Sequence, residues 1–120
     1  KGNNELLNEE NTLAVVGPRK TTQYGRDVTT SLVSEIAEQG IVIISGLALG
    51  IDAIAHSSSL DSEGRTIAVL GCGVDCCYPQ ENYNLYKKIL SSGGLFLSMD
   101  YLSLHQREVF WLEIESLLRL

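Results

Sequence analysis

Three short apolar runs are each followed by a glycine-bearing turn, and two cations stand in the first of them. The turns are Gly17-Pro18-Arg19-Lys20, Ser45-Gly46-Leu47-Ala48-Leu49-Gly50 and Gly71-Cys72-Gly73. Residue types in this pattern could hold an anion, with phosphate the natural candidate. Glycine lets an oxygen-rich ligand approach the backbone. The free N–H groups of a helix start attract negative charge, and Gly46, Leu47, Ala48 and Gly50 would supply them. Ser45 adds a hydroxyl donor, Arg19 a planar fork of donors matched to phosphate, and Lys20 a supporting charge. Asp52 suits a different task, organising the turn by accepting backbone hydrogen bonds. Neither GxGxxG nor GxxxxGK[ST] is present. The same glycines therefore also read as tight strand-to-helix turns and nothing more, and both readings stand at this point.

The elements that must position these turns follow from the hydrophobic pattern. Leu13–Val16, Ile41–Ile44, Thr66–Leu70 and Leu95–Ser98 are short runs rich in β-branched or apolar residues, as expected of strands buried on both faces. Between them, Val28, Leu32, Ile36 and Ala37 recur at helical spacing, with Thr21 or Thr22 as cap and Gly40 as stop. Ile51, Ile54 and Ala55 mark a second helix, over about 50–61. Leu85, Tyr86, Ile89 and Leu90 mark a third, over about 82–91. Strand and helix alternate, which predicts an α/β fold: a doubly wound, Rossmann-like parallel sheet of four to five strands with helices on both faces. In such a sheet all three turns fall on one edge, where ligands of open α/β folds bind. Residues 1–11 read as a polar lead-in and 12–120 as the core domain. Phe110, Trp111, Ile114, Leu117 and Leu118 are spaced for a closing amphipathic helix, whose apolar stripe would pack on the sheet or on a second copy of the chain.

Composition narrows the classes. The 120 residues, 44% of them hydrophobic, suit one globular domain, and the formal net charge is −6. That charge argues against a surface that attracts nucleic acid everywhere, while leaving room for a small basic site. No apolar run approaches the roughly 20 residues a membrane span needs, and no charged-then-apolar signal opens the chain, so a cytoplasmic protein without membrane contact is expected. Cys72, Cys76 and Cys77 read as reduced thiols in or near the core. Their spacing, with His56 and His105 far off, predicts no metal site. His56 reads as a packed or hydrogen-bonded helix residue.

Four motifs occur together in order: VVGPRKTTQYG at 15–25, SGLALGIDAIAH at 45–56, TIAVLGCGVD at 66–75 and YPQEN at 78–82. In them the chain resembles the Rossmann-type core of the DNA-processing protein A family, DprA, also called Smf. Lys1-Gly2-Asn3 is similar to the segment just ahead of that core, and the resemblance runs from residue 1 to about 99. It implies a cytoplasmic single-stranded DNA-binding module, without catalysis or cofactor, acting in natural transformation. It also implies loading of the recombinase RecA as a partner and a homodimer. Gly17 and Arg19 match the family's first turn, Ser45, Gly46, Gly50 and Asp52 its second, and Gly71, Cys72 and Gly73 its third. Two departures remove positive charge. Leu49 stands where the family often has Arg or Lys, and VFWLEIESLLRL at 109–120 stands where it has an Arg-Asn-Arg-containing segment. Two alternatives remain. One is a nucleotide-binding or phosphoribohydrolase-like Rossmann protein, although the PGGxGTxxE motif of those hydrolases is missing. The other is a diverged interaction remnant that has lost DNA binding.

Overall fold

The computed structural model describes residues 1–71, 79–99 and 110–114. Five strands form one parallel sheet: β1 (Thr12–Val16), β2 (Val42–Ser45), β3 (Thr66–Leu70), β4 (Leu95–Ser98) and β5 (Phe110–Glu113), in the spatial order β4-β3-β2-β1-β5. Helices α1 (Gln23–Glu38), α2 (Ile51–Asp61) and α3 (Tyr83–Ser91) make the first three crossovers. This is the Rossmann-like α/β sheet expected. The first four strands step steadily one way, and the chain then returns past β1 to place β5, with Leu13 paired to Phe110 and Ala14 to Trp111. Strand order thus reverses at β1, the strand that feeds the Gly17–Lys20 turn.

Alternation along the strands sorts the core into two faces. Ala14, Val42, Ile44, Ile67, Val69, Leu95 and Leu97 lie on one face. On the other, Val15 and Ile43 pack with Val33, Ala37, Ile51, Ala55 and Ile114, and Ala68, Leu70 and Phe96 pack with Leu47, Leu60, Tyr86 and Ile89. All three described helices therefore cover the second face rather than both, and among the described residues the first face is covered by Leu6 and Leu7 of the N-terminal segment. Helix α2 lies in the middle and is buried almost all round, with Ile51, Asp52, Ala55, His56, Ser58, Ser59 and Leu60 enclosed. In α1 the Thr22 hydroxyl caps the Gly25 N–H at 3.0 Å. Its deepest stripe is Gly25, Thr29, Val33 and Ala37, with Val28, Leu32 and Ile36 only half-buried beside it. The helical period was legible, but the buried centre is turned toward small residues, which let the helix approach closely.

Two expectations change. The supposed lead-in is built into the sheet. Gly2 bridges Leu95, Asn3 N–H donates to the Gly94 carbonyl at 2.9 Å, and Asn4–Asn8 forms a 3-10 turn whose Leu6 is fully buried against the first face. The closing amphipathic helix is also corrected, because residues 110–113 are strand β5. Aromatic and β-compatible residues beside the open edge of β1 gain a ladder of backbone hydrogen bonds there. Ile114, one of the residues of that stripe, is fully buried in the chain's own core, on the sheet side of the two packings expected. Leu117 and Leu118 lie outside the described residues.

Candidate functional site

At the C-terminal edge of the sheet the turn after β1 lies against the turn after β2. Gly50, at φ +80°, sits directly beneath the carbonyls of Pro18 and Arg19. Ile51 N–H donates to the Pro18 carbonyl at 3.2 Å. A side chain on Gly17 would run into Ile51, and one on Gly46 into the Asp52 carboxylate. Each of these glycines is thus required by contact within the protein. Beside the stacked turns a cleft of about 410 Å³ is lined by Arg19, Gly46, Ala48, Leu49, Leu70, Gly71, Pro79 and Glu81.

The β2–α2 turn uses most of its own polar groups. The Ser45 hydroxyl donates to the Val15 carbonyl at 2.6 Å and is buried. Gly46 N–H donates to Asp52 Oδ2 at 3.1 Å. Asp52 is buried at the start of α2. Burial raises its pKa, and backbone hydrogen bonds from Gly46, Ala48 and Gly17 oppose the rise. The anion held by this turn is therefore the protein's own carboxylate. Leu47, at φ +57°, is fully buried and gives its N–H to His56 Nε2 at 3.2 Å. Its carbonyl accepts from Asn82 Nδ2 at 2.8 Å, and the Ala48 carbonyl accepts from the same amide at 3.3 Å and from Ala53 N–H at 3.1 Å.

Of the residues singled out from the sequence, Arg19, Gly46, Ala48 and Gly71 meet in the cleft. Ser45, Leu47 and Asp52 are buried behind it. Hence the expectations of a Ser45 hydroxyl and of Gly46, Leu47 and Ala48 amides offered to a ligand give way to internal bonds. Gly17 and Gly50 shape the stack of turns. Lys20 is exposed beside Arg19 but does not line the cleft. Cys72 and Gly73, with Cys76 and Cys77, lie outside the described residues. Arg19 is exposed and forms no ion pair with a described residue, whereas Arg65 is paired with Glu9 and Lys88 with Asp61. Sequence reading missed Glu81, which puts an acid on the wall shared with Arg19, and it missed Asn82 as the clamp on the turn. The YPQEN motif was the available signal for both. Among the described residues no cluster of metal-binding side chains occurs and no helix is long and apolar enough to cross a membrane.

Comparison with known proteins decides the family. The sequence profile of DNA recombination-mediator protein A matches residues 1–111. The chain belongs to that family. It is 44% identical over 85 residues to DNA processing protein DprA of Bacillus subtilis, covering 71% of this chain and 29% of that protein. It is 46% identical over 86 residues to Protein Smf of Synechocystis, covering 72% of this chain and 21% of the relative. Among solved structures, DNA processing protein A of Helicobacter pylori, described for its single-stranded DNA binding mode, superposes with a TM-score of 0.73 at 37% identity. That match covers 81% of this chain and 43% of the Helicobacter chain. This chain therefore spans between about a fifth and under a third of the length of these two curated relatives.

Proposed function

We propose that this chain is the DNA-contacting core of a DprA-type protein. It would bind single-stranded DNA without catalysis, in the handling of DNA taken up during transformation. The observation that carries the reading is Arg19. Arg19 lines the cleft beside the strand-order reversal and has no acidic partner among the described residues. A cation without an ion-pair partner among the described residues, beside a cleft, is available to a phosphate. Family membership and the DNA-binding Helicobacter relative support the choice of ligand. The same reading makes the protein cytoplasmic, and it makes RecA and a second copy of the chain its partners. The phosphate site is narrower than the motifs implied: Arg19, with the backbone at Leu49 and Gly71, against the acid of Glu81.

Fluorescence anisotropy with labelled oligo-dT across a salt series tests this. Arg19→Ala should weaken binding by about 1.5–3 kcal/mol, the scale of a hydrogen bond to a charged group. It should also reduce the slope of log affinity against log salt by about 0.7, one phosphate's share on a single strand. Unchanged affinity and slope would remove Arg19 from the site and favour the diverged remnant. RecA and self-association are read separately, by pull-down and by sedimentation.

A further inference from the structure

Fully buried in α2, His56 joins three elements through one imidazole. Its Nδ1 lies 2.7 Å from Thr66 Oγ1 on β3, and that hydroxyl lies 2.7 Å from the Ile43 carbonyl on β2. Its Nε2 lies 3.2 Å from the Leu47 amide nitrogen. The hydrogens follow by elimination. A carbonyl oxygen cannot donate, so the 2.7 Å contact to Ile43 takes the Thr66 hydroxyl hydrogen. The Thr66 oxygen must then accept, which puts a hydrogen on His56 Nδ1. In the neutral ring Nε2 is bare and receives the Leu47 N–H. Full burial opposes a second proton. It lowers the His56 pKa to about 3, although the nearby Ser45 backbone carbonyl works in the other direction.

Leu47 is the residue at which the turn reverses, and it does so at φ +57°, a conformation that costs a bulky L-residue energy and persists only where its surroundings impose it. Three neighbours impose it: His56 takes its N–H, Asn82 its carbonyl, and the core its side chain. Immediately after this reversal the backbone emerges into the cleft as Ala48 and Leu49.

We propose that His56, as the neutral Nδ1–H tautomer, is a positioning residue for the phosphate cleft: it anchors the Leu47 amide to β2 and β3 and so fixes the Ala48–Leu49 backbone opposite Arg19. This rests on the DNA-binding reading above for what the cleft receives, but the anchoring is a property of the unliganded protein. Two substitutions separate the two ends of the imidazole. In His56→Gln the side-chain amide reaches the place of Nε2 and its oxygen can accept from Leu47. In His56→Asn the amide occupies the place of Nδ1 and nothing reaches Leu47.

The tests run on the whole chain. Nitrogen NMR of the unsubstituted protein should show a pyrrole-type Nδ1 and a pyridine-type Nε2, with the Leu47 amide strongly protected from exchange. Labelled oligo-dT should bind His56→Asn about tenfold more weakly than wild type, the loss expected when a buried amide is stripped of its acceptor. His56→Gln should recover most of that loss, with the two variants equally folded by circular dichroism. A proton found on Nε2, or an unprotected Leu47 amide, overturns the proposal even if neither variant folds. Equal affinity in His56→Asn and wild type overturns it as well, as does failure of His56→Gln to bind better than His56→Asn. If wild type binds no oligo-dT, the DNA-binding reading fails, and the tautomer and the Leu47 exchange then decide the anchoring alone.

Discussion

Gly50→Ala tests whether the two stacked turns depend on close backbone contact. Gly50 lies at φ +80° and ψ −128°, a region that essentially only glycine occupies, and a side chain there costs on the order of 1–3 kcal/mol. The added Cβ would also fall on the carbonyl groups of Pro18 and Arg19. Backbone cannot rotate aside, so relief requires the β1–α1 turn to move. That movement breaks the 3.2 Å bond from Ile51 N–H to Pro18, for about 0.5–1.5 kcal/mol more. The sum is about 3 kcal/mol, a large share of the roughly 5–15 kcal/mol a domain possesses. Gly40→Ala is the control. Gly40 has φ +84° and open space around its Cβ position, so only the conformational cost applies, about 1–2 kcal/mol. Urea unfolding should show the midpoint of Gly50→Ala falling well below that of Gly40→Ala, with the slope m unchanged. Oligo-dT affinity should fall only in Gly50→Ala, because only there does Arg19 move. Equal losses in the two variants would refute the stacking argument.

Acid should weaken the fold through His56. Its folded pKa, about 3, lies below its ordinary 6.5. The unfolded chain therefore takes up the proton first, and stability present above pH 6.5 is lost as pH falls toward 3. The loss by pH 5 is about 2 kcal/mol, measurable by urea melts at pH 5 and pH 8 and absent from His56→Gln. Asp52 acts in the opposite sense. Its pKa is raised, so its contribution improves as pH falls through the folded value and offsets part of the loss. Leu49→Lys places a cation on the cleft wall, where Leu49 is 37% exposed. It should strengthen oligo-dT binding severalfold at low salt and steepen the salt slope by about 0.7, as read by anisotropy. Leu6→Ala should cost about 3 kcal/mol in urea unfolding, as for other buried leucines; a cost near zero would restore residues 1–11 to the status of a lead-in.

The strand and helix order was readable because β1 to β4 are β-branched or apolar runs separated by helical periods. Three features escaped that reading for one physical reason: they depend on partners distant in sequence. FWLE at 110–113 has apolar spacing compatible with a helix, and only the vacant edge of β1, far back in the chain, makes it a strand. Leu6 looks like an isolated apolar residue until the sheet face it covers exists. In the site, Arg19, Gly46 and Gly71 line one cleft, with Gly17 and Gly50 in the turns beside it. Which turn amides face a ligand could not be read locally, since Gly46 and Leu47 are claimed by Asp52 and His56 from within α2, and the Leu47 carbonyl by Asn82 from beyond β3. The motif SGLALGIDAIAH carries both claimants in its own second half, at six and nine residues' distance. In hindsight that spacing is the record of a turn holding itself together.

The return of the chain to β1 also sets an order of events in folding. Neighbours β1 to β4 pair with their immediate successors in the sequence, so each step closes a loop of modest length. Leu13 and Phe110 are 97 positions apart, and this most distant pairing should form last. At synthesis rates of about 5–20 residues per second, β1 waits on the order of 5–20 s for its second neighbour. Throughout that interval its outer edge offers an unpaired row of backbone N–H and C=O groups. The 110–113 segment of another nascent copy matches that edge as well as the chain's own. Exchange of β5 between chains is therefore the characteristic misassembly of this fold, and crowding on a polysome is the condition that promotes it.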